Sequence, residues 1–242
     1  MDTALYVSLS SQIALERRLT TLSDNVANSN TVGFRATEVK FEELVDNRRP
    51  ADVTFVSSGE NYLSTRNGGL QQTGSALDFA VQGDAWFSIE TPAGPALTRD
   101  GRFTMTEDGA LVTLNGYPVL DPGGAAIQLD AAGGEPEVSR DGALRQNGVQ
   151  LAALGLFTFN PANGYSRHDN SAILPNGEPE AVVDRFDVGV VQGFIEKSNV
   201  NAVSEMTQLI MVTRQFENVS ALVRDAERIK QDAIRTLGGS NT

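Results

Sequence analysis

Asn25-Val26-Ala27-Asn28-Ser29-Asn30-Thr31-Val32-Gly33-Phe34 ends the first helical pattern of this chain, and the fold is read outward from it. Upstream, from about Thr3 to Ala27, there is no glycine or proline. Leu15, Leu19, Leu22 and Val26 step by four, three and four, which keeps them on one helix face, and Leu5, Leu9 and Ile13 extend a neighbouring stripe toward the start. A helix of this kind with one apolar face needs a partner surface to persist. The far end mirrors it. Met206, Leu209, Thr213, Phe216, Val219, Leu222, Ala226, Ile229, Ala233 and Leu237 advance by threes and fours, with a mean step close to a coiled-coil seam. Asn201 suits an N-cap and Gly238 a C′ position. Arg224/Glu227, Arg228/Asp232 and Asp232/Arg235 place opposite charges at helical spacing.

All nine prolines lie between these two patterns. There the period changes. Asp-Gly begins at 100, 108 and 141, and Asn-Gly at 67, 115, 147, 163 and 176. Both dipeptides tolerate positive φ and mark tight hairpins. Short β-type runs lie among them: Leu77–Val81, Trp86–Ile89, Phe103–Met105, Leu111–Leu114 and Tyr117–Leu120. Asp108-Gly-Ala-Leu111 with Asn115-Gly116 is echoed by Asp141-Gly-Ala-Leu144 with Asn147-Gly148, which predicts two hairpins of similar design. Phe186–Val191 reads as a last strand handing over to the C-terminal helix. Residues 34–75 read as a connector with limited regular structure.

The expected fold is therefore α+β. The N- and C-terminal helices, residues 1–33 and 200–242, pair as a coiled-coil-like domain. An antiparallel all-β domain, residues 76–185, is inserted between them, with residues 34–75 and 186–199 as connecting segments.

The formal net charge is −12, and none of it sits at the ends. Residues 1–40 carry four basic and four acidic side chains, residues 201–242 five of each, and residues 41–200 ten against twenty-two. Nucleic acid is disfavoured as a partner, because neutralising phosphates needs a basic face. Near-neutral ends let copies crowd together while an acidic middle repels. Without cysteine there is no thiolate chemistry and no disulfide. No cleavable signal peptide is expected, since the first basic residue is Arg17. The longest apolar candidate, Leu151–Phe157, is far too short to span a bilayer, so the chain is not expected to be membrane-embedded.

Catalytic constellations fail at the inventory. His168 is the single histidine, in a turn-rich run without a nucleophile motif. The carboxylate pairs Glu42/Glu43, Glu107/Asp108 and Asp184/Asp187 read as solvated charge in an acidic segment. No catalytic residue, metal site or cofactor is expected. The Asn-rich block has two readings. Asn28, Asn30 and Gly33 end a helix and turn the chain; alternatively, clustered amides and hydroxyls beside a sticky helix form a hydrogen-bonded joint between subunits.

Three separated motif sets carry a family resemblance. Ala4-Leu-Tyr-Val7, Asn25-Val-Ala-Asn28 and Thr31-Val-Gly-Phe34 resemble the opening signature of flagellar rod and hook proteins. Gly193-Phe-Ile-Glu-Lys-Ser-Asn-Val-Asn201, Glu205-Met206 and Arg214-Gln-Phe-Glu217 resemble their closing signature. Leu77-Asp-Phe-Ala-Val-Gln-Gly83, Thr98-Arg-Asp-Gly-Arg-Phe103 and Gly109-Ala-Leu-Val-Thr113 resemble the β-domain motifs of the family. In length and opening residues the chain is more similar to the proximal-rod member than to the longer distal one. Ser10-Ser11, where a Ser-Gly pair is common, and Asp84-Ala85, in place of a Gly-rich stretch, depart from the pattern.

The resemblance implies a non-catalytic subunit of the periplasm-spanning rod, exported through the flagellar type III apparatus without cleavage. Its implied partners are other rod proteins and copies of itself, with the terminal helices in an inner layer and the β domain outside. The candidate assembly interface comprises the stripe residues Leu5, Leu9, Ile13, Leu15, Leu19, Leu22, Val26, Met206, Leu209 and Phe216. To these are added the joints Asn25, Asn28, Thr31, Gly33, Phe34, Glu196, Ser198, Asn199, Val200 and Asn201, with Glu205, Arg214 and Glu217. The alternatives are a distal-rod or hook-type axial protein and, from another class, a β-rich sugar- or cation-binding protein on a helical stalk. A third, an enzyme using His168 or a carboxylate pair, has little support.

Overall fold

The computed structural model describes residues 2–40, 43–46, 53–56, 59–183 and 185–238. The chain forms two compact units. One gathers Met1–Ala27, Thr37–Tyr62 and Asn201–Thr242; the other gathers Asn28–Ala36 and Leu63–Val200.

The helical unit is built on α1 (Asp2–Ala27) and α2 (Ala202–Gly238). α1 starts within a residue of the position expected from the sequence. Asn201 caps α2 as its sequence suggested: its Oδ1 accepts from the Ser204 amide at 3.1 Å, and its carbonyl accepts from Glu205 N at 2.9 Å. Gln12 Nε2 donates to Ser220 Oγ at 3.3 Å, and Arg18 donates to Gln208 Oε1 at 3.4 Å. Partner numbers fall on α2 as they rise on α1, so the two helices run antiparallel. Arg228 bridges Asp225 at 3.2 Å, three residues back, where the spacing had pointed forward to Asp232.

Residues 34–75 carry more regular structure than their mixed pattern suggested. Thr37–Lys40 neighbours Glu60–Leu63, and Glu43–Asp46 pairs antiparallel with Val53–Val56. Leu70–Gln72 pairs with Phe194–Glu196. These strands have three or four residues each, too few for an alternation to stand out from its surroundings.

The β unit centres on a six-stranded antiparallel sheet. Its spatial order is Tyr165–His168, Ala172–Pro175, Gly94–Thr98, Trp86–Thr91, Leu156–Thr158, Glu180–Ala181. Phe103–Met105 and Leu111–Thr113 form a hairpin, and Glu137–Val138, Ala143–Gln146 and Val149–Ala153 a three-stranded sheet. The expected echo is visible. Gly109 N donates to Thr106 O at 3.0 Å and Thr106 N to Ala110 O at 2.9 Å; Gly142 with Ser139, and Ser139 with Ala143, repeat both bonds at 2.9 Å. Asn147 and Gly148 both take positive φ in the following turn, as an Asn-Gly hairpin requires.

Two expected strands are corrected. Tyr117–Leu120 forms no regular strand, only single bridges from Pro118, Val119 and Leu120 to three different partners. Phe186–Val191 is paired only from Gly189 onward, as Gly189–Gln192 against Phe79–Gln82, and the last strand before α2 is Phe194–Glu196. The reason for the first correction lies in the core. Leu111 N donates to Ile127 O, Ile127 N to Val119 O and Val119 N to Leu111 O at 2.9–3.0 Å, a closed triangle of three chain segments. Ser88, Gly155 and Leu120 close a second triangle in the same way. Adjacent residues of 117–120 thus serve different neighbours. A Cβ at Gly155 would sit 2.6 Å from the Leu120 carbonyl, so only glycine lets the backbones meet. Phe79, Phe87, Phe103, Leu111, Val119, Ile127, Leu144 and Leu154 fill the interior, with Phe87 and Phe103 edge to face at 5.3 Å.

Candidate assembly interface

The apolar side chains of the helical unit divide into two sets. Ala14, Leu22 and Val212 are buried. Leu15, Leu19, Val26, Leu209, Phe216 and Val219 are half-buried. Leu9, Ile13, Met206 and Leu222 are exposed, along with Val203, Ile210 and Met211, which the sequence reading did not single out. Ile13 is 50 % exposed and Ile229 60 %. The small side chain of Ala14 and the β-branched Val212 sit inside, while several larger residues of the expected stripes face outward. From Arg224 to Thr236 every side chain of α2 is exposed. α1 has 26 residues and α2 has 37, so α2 is the longer by eleven. Arg214 and Glu217 are exposed. The side chains of Leu5 and Leu237 lie outside the described residues.

Asn25 is 2 % exposed and works within its own chain. Its Oδ1 accepts from the Thr37 amide at 3.0 Å, and its Nδ2 donates to the Thr37 carbonyl at 2.9 Å and to Glu205 Oε2 at 3.3 Å. A side-chain amide can answer a peptide group with both a donor and an acceptor, which neither Asp nor Ala can do. One residue thereby ties α1, the strand Thr37–Lys40 and the first turn of α2.

In the β unit, the segments around Gly33–Ala36 and Glu196–Asn199 are laced together. Gly33 N donates to Glu196 O at 2.8 Å, Asn199 N to Phe34 O at 3.3 Å, and Ala36 N to Asn199 Oδ1 at 2.7 Å. Asn199 Nδ2 donates to Arg66 O at 2.8 Å. Thr31 donates to Asn28 Oδ1 at 3.0 Å, and Ser198 Oγ accepts from Val200 N at 3.3 Å. Gly33 has φ +71°, and a Cβ there would lie 2.2 Å from the Asp100 amide nitrogen. Phe34 is buried under the Arg167 guanidinium, 4.5 Å from the ring centroid.

At the centre of this lacing is a buried charge cluster. Glu196 Oε1 meets Arg35 at 2.9 Å and Oε2 meets Arg99 at 3.1 Å, with all three side chains at most 2 % exposed. Gly68 N adds a third bond to Glu196, at 2.8 Å. Arg99 also donates to the carbonyls of Val81 and Gly83, and Arg35 to Thr65 O, Arg66 O and Asn67 Oδ1. The Trp86 ring has Arg35 and Arg99 at 5.7 and 5.4 Å. Burial pulls the Arg99 guanidinium down to about 10, opposed by Glu196; Arg35 is lowered for the same reason. The sequence reading named Glu196 and missed Arg35, Arg99 and Trp86. Arg99 stood inside a recognised motif, but nothing local shows that its partner lies at position 196.

His168 packs its ring 5.8 Å from Tyr117, with Nε2 4.0 Å from Asp169. No serine is hydrogen-bonded to it among the described residues. Asp187 is bridged by Arg185, which holds its carboxyl below the usual range. Glu42 and Asp184 lie outside the described residues. No described helix is long and apolar enough to cross a membrane.

The lacing joins the two stretches that matched family signatures at opposite ends of the sequence. Three family models match the chain in order: "Flagella basal body rod protein" over residues 5–35, "Flagellar hook protein FlgE/F/G D1 domain" over 80–146, and "Flagellar basal body rod FlgEFG protein C-terminal" over 191–236. A flagellar basal-body rod protein FlgF of Rhizobium meliloti (strain 1021) is 64 % identical over 240 residues, 99 % of this chain and 100 % of the relative. The chain belongs to the flagellar basal-body rod protein family. Another relative, FlgF of Mesorhizobium japonicum, is 55 % identical over 100 % of both chains. FlgG of Agrobacterium fabrum is 31 % identical over 97 % of this chain and 99 % of its own. In this rod-family chain, Asn25 and Glu196 both make their described bonds inside a single molecule.

Proposed function

We propose that this protein is a structural subunit of the bacterial flagellar basal-body rod, in its proximal part, and assembles with other rod proteins and copies of itself through its terminal helices. The observation that carries this reading is the row of exposed apolar side chains on both helices: Leu9 and Ile13 on α1, Met206, Leu222 and Ile229 on α2. Each contributes on the order of 1 kcal/mol when a neighbour covers it, and many such contacts along a helix suit a permanent assembly. Coiled-coil packing of α1 against α2 supplies the half-buried seam, and the outward stripes meet other subunits. Asn25, Asn28, Thr31, Gly33, Phe34, Glu196, Ser198, Asn199, Val200 and Asn201 act as positioning residues that shape the segments flanking both helices. Arg214 and Glu217 lie on the outer surface of α2 and contribute polar contacts.

Likeness to FlgF over the whole length, at 64 % against 31 % for FlgG, favours the proximal member over a distal-rod or hook-type protein. The subunit reaches the periplasm through the flagellar type III export apparatus, and its role is mechanical. Electron microscopy of basal bodies from cells lacking this chain tests the reading. Rods truncated near the base are expected; rods of full length and normal motility would overturn it.

A further inference from the structure

The β unit contains a cleft of about 270 Å³, of whose lining residues the assembly reading uses only Thr31. It opens between the Thr113–Tyr117 turn and the segment Asp169–Ala172, over a floor that includes buried Ile89 and Thr98. Its wall is rich in groups that both donate and accept hydrogen bonds. Thr31, Thr113, Ser171, Asn115 and Asn170 all line it.

Charge narrows what such a cleft can take. Arg102 is the one cation lining it among the described residues, and Asp100 already holds that guanidinium at 2.6 and 2.9 Å. With Asp100 and Arg102 cancelling, Asp169 leaves the cleft formally negative, so phosphate and sulfate esters are repelled. Two lining carboxylates fall short of a cation site, and no cluster of three or more metal-ligating side chains occurs among the described residues.

Asp169 is the distinctive group. It is a non-glycine residue at φ 50°, a conformation kept where the surroundings enforce it. Asn115 Nδ2 donates to its Oδ2 at 3.1 Å. Tyr117 lines the same cleft, and the neighbouring Asp169 carboxylate raises its phenol above the ordinary range. A carboxylate whose Oδ2 accepts from Asn115 keeps acceptor capacity for paired hydroxyl groups. Tyr117 and the exposed Leu114 offer apolar surface beside it for C–H groups.

We propose that this cleft binds a neutral polyhydroxylated ligand, a saccharide ring, with Asp169, Asn115 and Tyr117 as its principal contacts. Its volume lies just under the ~300 Å³ lower end of small-molecule sites, which suits one sugar ring better than a nucleotide. The inference stands apart from the assembly reading, because the cleft lies wholly within the β unit.

Titration calorimetry of the full chain with glucose, maltotriose, cellotriose and chitotriose, and with glucose 6-phosphate as the charged counterpart, tests it. Saturable binding of at least one neutral sugar is expected, weakened tenfold or more in Asp169→Asn and in Tyr117→Phe. Asn accepts left-handed backbone conformations, so Asp169→Asn should keep the wild-type melting temperature and report on binding alone. The proposal is overturned by no saturable heat with any neutral sugar, by affinity unchanged in both variants, or by binding confined to glucose 6-phosphate.

Discussion

Arg99 and Glu196, ninety-seven positions apart, meet at 3.1 Å with both side chains about 1 % exposed. The pair is one arm of a cluster in which a single carboxylate serves two guanidiniums. Removing one partner of a buried pair is far costlier than its net worth suggests, because a charge is left behind without compensation. Glu196→Gln, which keeps the shape, should destabilise the β unit by about 3–5 kcal/mol in urea unfolding. A loss below ~1 kcal/mol would show that water reaches the guanidiniums. Trp86, the only tryptophan, lies between the two arginines and gives the fluorescence signal.

Asn25→Ala removes the bonds that Asn25 makes to both the amide and the carbonyl of Thr37. The expected cost is about 1–3 kcal/mol in the helical unit. Faster hydrogen exchange at the Thr37 amide, with little change at Leu111 in the β core, is the specific sign. Unchanged protection at Thr37 would mean that the two-way bond to Asn25 is not formed in solution.

Gly33→Ala meets two penalties at once. The residue sits at φ +71°, and the added Cβ would press on the Asp100 amide nitrogen at 2.2 Å. A loss of at least about 2 kcal/mol is expected by thermal or chemical unfolding. A near-neutral result would mean that the turn can relax away from Asp100.

Substitutions on the outward stripe should separate folding from assembly. Ile13→Gln and Ile229→Gln remove apolar groups that this single chain leaves half or more exposed. Stability of the isolated protein should change by no more than about 0.5 kcal/mol. Swimming and recovery of the chain in purified basal bodies should fall together, most of all in the double variant. Normal incorporation of the double variant would remove the helices from the assembly surface.

Limited proteolysis reports on the units directly. In a verified monomer, cleavage should strip both helical ends and leave a resistant fragment within about residues 70–190. The closed backbone triangles at Leu111–Val119–Ile127 and Ser88–Leu120–Gly155 are the reason for its resistance. Protection of both ends in a monomer would contradict the proposed dependence of the helices on neighbouring subunits.

Much of the local structure was readable from the residues. Both helices, the Asn201 cap, the strand Phe103–Met105 and the turns at Asp108-Gly109, Asp141-Gly142 and Asn147-Gly148 follow from patterns within a few positions. Four-residue strands such as Thr37–Lys40 and Ala172–Pro175 were not readable, because their partners are distant in the chain: Thr37–Lys40 neighbours Glu60–Leu63, and Ala172 opposes Thr98. The stripe on α1 was visible as periodicity. That Ala14 would turn inward while Leu9 and Ile13 faced out depends on the approach of α2, which no spacing encodes.

The sequence by itself determined that a long helix lies at either end, where the chain turns, and the family to which its motifs belong. Periodicity, capping and turn chemistry act between residues a few positions apart, and that is the range over which a sequence can be read directly. Tertiary structure alone decided that Arg35, Arg99 and Glu196 share one buried site, that Asn25 answers Thr37, and which apolar side chains stay uncovered. Those outcomes depend on which distant segments exclude water together, and burial is a property of the assembled chain.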